Sequence, residues 1–118
     1  MWSDENYRQE LLHILQHRKL QPLFQPVWDF STGSVQGYEA LIRGPSDSPL
    51  HSPLVLFKVA QQCQLLAELE MSCRELSIAA FAAAGVRGDL YLNVNPLLLL
   101  SDDHPSDNSG VDGVRSLS

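Results

Sequence analysis

The stretch YEALIRGP at 38–45 holds one carboxylate, Glu39, and one guanidinium, Arg43, with Leu41 between them. In an extended strand, positions 39, 41 and 43 point to one face. At roughly 3.3 Å per residue, Glu39 and Arg43 stand about 13 Å apart, too far to pair with each other. Each therefore needs its own partner, whether solvent, another segment or a ligand. A second stretch, DLYLNVNP at 89–96, alternates Leu90, Leu92 and Val94 on one face with Tyr91, Asn93 and Asn95 on the other. Amides at the end of a strand stopped by proline lie where barrels of parallel strands gather their active-site groups. An amide pair that satisfies loop backbone is the plainer alternative.

The remaining chemistry-bearing residues are less pointed. His13 and His17 stand at i and i+4 of a helical segment, a spacing that can bind metal, but no third ligand is evident and surface placement is the simpler reading. His51 and His104 fall in loops. Cys63 and Cys73 lie in helical sequence without CxxC spacing, which favours two buried thiols over a disulfide or a metal role.

The 118 residues suffice for one small domain with a modest core. With 44% hydrophobic and 19% charged residues the balance is globular. A net charge of −6 opposes a general nucleic-acid or anionic-membrane binder, since its field repels phosphate. It leaves room for a local cationic pocket. No apolar run spans a bilayer, and the start MWSDENYRQE lacks the basic and apolar regions of a secretion signal, so a soluble cytoplasmic protein is expected.

Several elements must position these residues. Tyr7, Leu11, Ile14 and Leu15 predict an amphipathic helix over 4–18, capped by Ser3, with Asp4 and Glu5 suited to its positive end. Strands are predicted at 20–28 and 34–43, joined by the turn-forming DFSTG as an antiparallel hairpin. Pro22 and Pro26 each lack a ladder donor and put the first strand at an edge or in irregular pairing. GPSDSPLHSP at 44–53 reads as a surface loop. Ser52 and Pro53 then open a helix to about Gln62. A second helix from about Leu65 carries the stripe Leu66, Leu69, Cys73, Leu76, Ala80 and Ala83 and closes at Gly85. Its carboxylates Glu68, Glu70 and Glu75 fall outside that stripe, on a solvated face. From Ser101 the chain turns polar, with four aspartates against Arg115, and a disordered tail is expected over 101–118.

Taken in order, LFQPVWD, a turn, GYEALIRGP, a helix ending QLLAELE, and DLYLNVNP resemble the start of the EAL domain family, bacterial phosphodiesterases that hydrolyse cyclic di-GMP to linear pGpG. The signature triplet stands as Glu39-Ala40-Leu41, and its wider ExLxR form as Glu39, Leu41 and Arg43. The resemblance covers roughly 18–105. It implies an α/β fold, a partial TIM-like (β/α) barrel of the EAL type over 20–100, preceded by the helix of 1–19. It also implies that Glu39 and Asn93 ligate the catalytic Mg2+ or Mn2+, that Arg43 holds a substrate phosphate, and that Gln25 lies near the nucleotide. Asn95 stands where the family form N-x-S-P has serine. Glu70, in the family's L-x-E segment, is expected to be structural. The donor types suit these roles, because Mg2+ and Mn2+ prefer hard oxygens and a guanidinium grips phosphate through paired hydrogen bonds.

The match also stops short. A barrel of this type needs about 250 residues. The later glutamate strand, the paired aspartates, the lysine near the attacking water and the terminal motifs have no counterpart here. Glu39 and Asn93 supply two of six octahedral positions, so weak metal binding and no turnover by the chain alone are expected. A truncated or frameshifted product would explain the abrupt tail. The alternative is a non-catalytic protein-interaction or dinucleotide-sensing module. Self-association or another chain is the expected partner, because an open barrel leaves apolar faces and strand edges uncovered.

Overall fold

Ser3 starts the first helix as predicted: its extended backbone frees the hydroxyl to accept from the Asn6 N–H at 3.1 Å. Helix α1 then runs Asp4–Gln16. The computed structural model describes residues 2–93 and the backbone of 114–117; at Asn93 and at 114–117 only the main chain is described. The other elements are β1 (Gln21–Asp29), β2 (Ser34–Arg43), α2 (Pro53–Gln62), α3 (Leu66–Ala84), β3 (Asp89–Asn93) and β4 (Val114–Leu117). They form two compact units, Met1–Gln21 with Ile42–Leu76, and Pro22–Leu41 with Ser77–Ser118.

In the first unit, the predicted stripe of α1 buries Leu11 and Ile14 completely. They join Leu20, Leu50, Leu56, Val59, Ala60 and Leu69 in one core, with Tyr7, Leu15, Ile42, Phe57, Leu66, Cys73 and Leu76 against it. Both short helices end on a residue in the left-handed region, Arg18 (φ 52°) and Gln64 (φ 59°). The next amides close each end, Lys19 N–H to the Ile14 carbonyl at 3.0 Å and Leu65 N–H to the Ala60 carbonyl at 2.8 Å. At α2, Ser52 has the extended backbone of a cap but no side-chain bond, and Pro53 occupies the first turn. Proline removes one orphan donor there, so the cap has less to satisfy.

The loop at 44–52 corrects the sequence reading. Ser48 and Leu50 are buried. The Ser48 hydroxyl donates to the Glu10 carboxylate at 2.5 Å and accepts from the Leu50 N–H at 3.1 Å. Composition reports the turn residues of this loop but not that one leucine within it anchors the segment in a core.

The second unit holds a sheet in the order β1-β2-β3-β4. The four-residue turn between β1 and β2 makes that pair antiparallel, since parallel strands need a long crossover. Asp29 organises the turn by accepting from the Ser31 N–H (2.9 Å) and hydroxyl (2.6 Å), while Gly33 (φ +69°) donates to the Asp29 carbonyl at 2.8 Å. β1, with its two prolines, is the edge strand that the sequence predicts. β2 and β3 pair in parallel, Glu39 opposite Tyr91 and Ala40 opposite Leu92. Ala40, Leu90 and Leu92 are buried, with Phe24, Ile78 and Phe81 packed against them.

The stripe predicted along α3 is half right. Leu66, Leu69, Cys73 and Leu76 serve the first core as expected. Beyond them Ile78 and Phe81 serve the second core, and Ala83 is exposed. Positions 76 and 78 lie about 200° apart around a helix, so one continuous stripe cannot serve both cores.

Within the segment 101–118, where disorder is expected, four residues are described as a strand. Val114–Leu117 pair in parallel with β3, Leu90 opposite Val114 and Asn93 opposite Leu117. An unpaired strand edge is a template for any segment that can extend, and V-R-S-L is short and β-compatible. Residues 94–113, with Asn95, His104 and most of the predicted tail, lie outside the described residues.

Candidate functional site

The two faces of the β2–β3 ladder are chemically different. Ala40, Leu90 and Leu92 occupy the face packed with Ile78 and Phe81 of α3. Register pairs share a face, so the other side carries Gly37 with Asp89 and Glu39 with Tyr91. Position 93, two residues beyond Tyr91, continues that row along the backbone.

Gly37 is required here by close approach. A Cβ at this position would stand 2.6 Å from the Asp89 carbonyl oxygen and 2.7 Å from Cε2 of Tyr91. The Tyr91 ring therefore lies over the missing side chain of Gly37, which leaves it beside Glu39 without covering the ladder position directly opposite. Sequence reasoning missed this pair, although a strand glycine two positions before a candidate residue is a signal of close backbone approach.

Glu39 is half-buried and has no hydrogen-bond or ion-pair partner among the described residues. It can therefore accept a cation or a donor without first breaking a bond. Gln25 is exposed on β1. Its neighbour Phe24 packs toward Phe81 at 5.5 Å between ring centroids, so strand alternation puts Gln25 on the opposite face, that of Glu39. The alternation slips between Gln25 and Pro26, both exposed, where Pro26 has no amide for the ladder.

Arg43, the last residue of β2, belongs to the first unit. Its Nε is buried with no hydrogen-bond partner. A buried donor without an acceptor costs about 1–3 kcal/mol, which an acceptor brought to this nitrogen would offset. The next residue is clamped. Gly44 donates its N–H to the His51 carbonyl at 3.1 Å, and His51 Nδ1 lies 2.8 Å from the Gly44 carbonyl oxygen. A side chain on Gly44 would collide with the Leu50 carbonyl. His51, read as an uninformative loop residue, thus fixes the backbone that follows Arg43.

The thiols are not paired with each other: Cys63 and Cys73 are both half-buried and free. Burial, and then the nearby Glu70 charge, push the Cys73 thiol up to about 12. Glu75 lies 3.7 Å from Arg18 at the surface, in keeping with the solvated face expected of it. No group of three or more metal-binding side chains forms among the described residues. None of their helices is long and apolar enough to cross a membrane.

The EAL domain sequence profile matches residues 8–107, most of the chain. The chain belongs to the EAL domain family. No curated protein matches it. Among solved structures, the Vibrio cholerae LapD S helix-GGDEF-EAL protein in its apo form is similar, with 11% identity and a TM-score of 0.62 over 77% of this chain and 22% of that one. The same protein bound to c-di-GMP gives 11% identity and a TM-score of 0.63 over 78% and 22%. At that identity the likeness is one of fold. This EAL chain spans about a fifth of the length of those solved chains.

Proposed function

We propose that this EAL chain handles cyclic di-GMP in the cytoplasm, with its four-stranded sheet as one segment of a TIM-like barrel. In this reading Glu39 and Asn93 hold Mg2+ or Mn2+, Arg43 receives a phosphate and Gln25 lies beside the nucleotide. The observation that carries it is the Glu39 carboxylate, without a partner among the described residues, on the sheet face opposite the helix-packed one. The buried, acceptor-less Arg43 Nε supports the phosphate role independently.

The donor chemistry fits the metal in kind. A carboxylate and an amide oxygen are the hard donors that Mg2+ and Mn2+ favour. When bound, such an ion would neutralise phosphate charge and hold water near the phosphodiester. The chain's own residues do the rest: Glu39 would supply one carboxylate ligand, Arg43 would orient phosphate through parallel hydrogen bonds, and Tyr91, over Gly37, lines the sheet face that carries Glu39.

Two donors leave most of an octahedral shell to water, so the 118 residues alone bind metal weakly and do not turn over the dinucleotide. A second reading, an interaction or dinucleotide-sensing module without turnover, is favoured by the hairpin, where Phe30 is 96% and Trp28 54% exposed. A cyclic di-GMP turnover assay with Mg2+ or Mn2+, on the chain and its Glu39→Ala variant, tests the proposal. No product from either is expected. Product that vanishes with Glu39→Ala keeps the site and shows that another copy completes it. Product that persists in the variant removes Glu39 from the chemistry.

A further inference from the structure

We propose that His13 and His17 on α1 form a chelating site for a divalent transition-metal ion of borderline softness, such as Zn2+. The two rings lie on one side of the helix, one turn apart, with centroids 4.4 Å from each other. Both residues are exposed. Neither ring is hydrogen-bonded or ion-paired among the described residues, so their nitrogens are available. Two imidazoles at i and i+4 of a helix can close on one ion, with Zn–N bonds of about 2.0–2.1 Å after a small rotamer adjustment.

The helix makes the pair more than two separate histidines. Thirteen residues of α1 are held by the Ser3 cap at one end and by buried Leu11 and Ile14 along the helix. The rings are therefore brought together before any ion arrives, and binding by the second nitrogen is effectively intramolecular. His17 is the C-cap of α1, where the negative end of the helix dipole favours a cation. Two carboxylates earlier on the helix each accept a hydrogen bond elsewhere. Glu10 accepts from Ser48, and the Glu5 carboxylate accepts from the Gln9 side chain at 2.9 Å. Water then fills the remaining positions, which suits an exchangeable ion. Imidazole selects Zn2+, Ni2+ or Cu2+ over Mg2+ and Mn2+, so this site differs in metal class from the oxygen donors of the sheet.

The test is a Zn2+ titration of the full 118-residue chain, by calorimetry and by thermal melting. Wild type is expected to bind Zn2+ and to melt at a higher temperature with it, because an ion that binds the folded helix stabilises it. His13→Gln and His17→Gln should each weaken binding by about tenfold or more and abolish the melting shift, since chelation is lost in both. Both residues are exposed, so the metal-free variants should keep the wild-type circular dichroism spectrum. Unchanged Zn2+ affinity in either variant would overturn the proposal. So would a loss of Zn2+ binding in Glu39→Ala alone, which would place the ion on the sheet.

Discussion

The two units of this chain divide labour unevenly. The first has eight buried apolar residues drawn from two helices, the connector after the first of them, the start of a third helix and the loop that follows Arg43. Among the described residues the second has three, Ala40, Leu90 and Leu92, with partly buried aromatic and aliphatic groups around them. Yet the second carries Glu39, Gln25 and Asn93, the residues with candidate chemistry. Rigidity and chemistry thus reside largely in different residues: Glu39 stands on the face of β2 opposite the one packed with Ile78 and Phe81. Arg43 is the exception, a candidate binding group seated in the first unit.

Core truncation should break that contrast most strongly. Leu56→Ala, at a fully buried site, should cost about 3–5 kcal/mol, and Leu92→Ala, at a site still 8% exposed, nearer 2 kcal/mol, measured by urea unfolding. Equal losses would mean that the second core is as well packed as the first. Gly37→Ala should follow at about 1–3 kcal/mol, because the Asp89 carbonyl is backbone and cannot turn aside as a side chain would. Tyr91 fluorescence or ring chemical shifts should move with it, whereas unchanged spectra would separate Tyr91 from Gly37.

Stability at high pH gives a third test, confined to the first unit. The Cys73 thiol is held above its ordinary value of 9.0, up to about 12, so the unfolded chain gives up that proton first. The neutral thiol's contribution is whole below pH 9 and is lost as the pH climbs toward about 12. Cys73→Ala should therefore lose stability less steeply than wild type across that interval. The smallest effect is a gain. Gln64→Gly relieves a left-handed side-chain residue and should stabilise α2 by about 1 kcal/mol, read as a raised unfolding midpoint.

Much of the fold is legible in the chain, for identifiable reasons. The Tyr7–Leu15 stripe, the Ser3 cap, the Pro22 and Pro26 edge and the 34–43 strand follow from local pattern, and local physics decides them. The loop at 44–52 and the lower half of α3 do not. Leu50 is buried by tertiary context that no turn signal reports, and α3 changes its buried side because it serves two cores. β4 depends on an available strand edge, which exists only once β3 has formed. At the candidate site, Glu39 and Arg43 stand out by type and spacing. The Tyr91–Gly37 contact and the His51 clamp on Gly44 are long-range or loop geometry, and sequence alone offers only the glycines as hints.

The central claim is that the Glu39 face of the sheet receives a hard divalent ion. Titration with Mn2+, followed through amide resonances of the isotopically labelled chain, tests it directly, since a paramagnetic ion broadens nearby signals even when it binds weakly. The account predicts selective broadening around residues 39 and 93 that disappears in Glu39→Ala. Broadening elsewhere only, or broadening at those residues that survives the substitution, would contradict it.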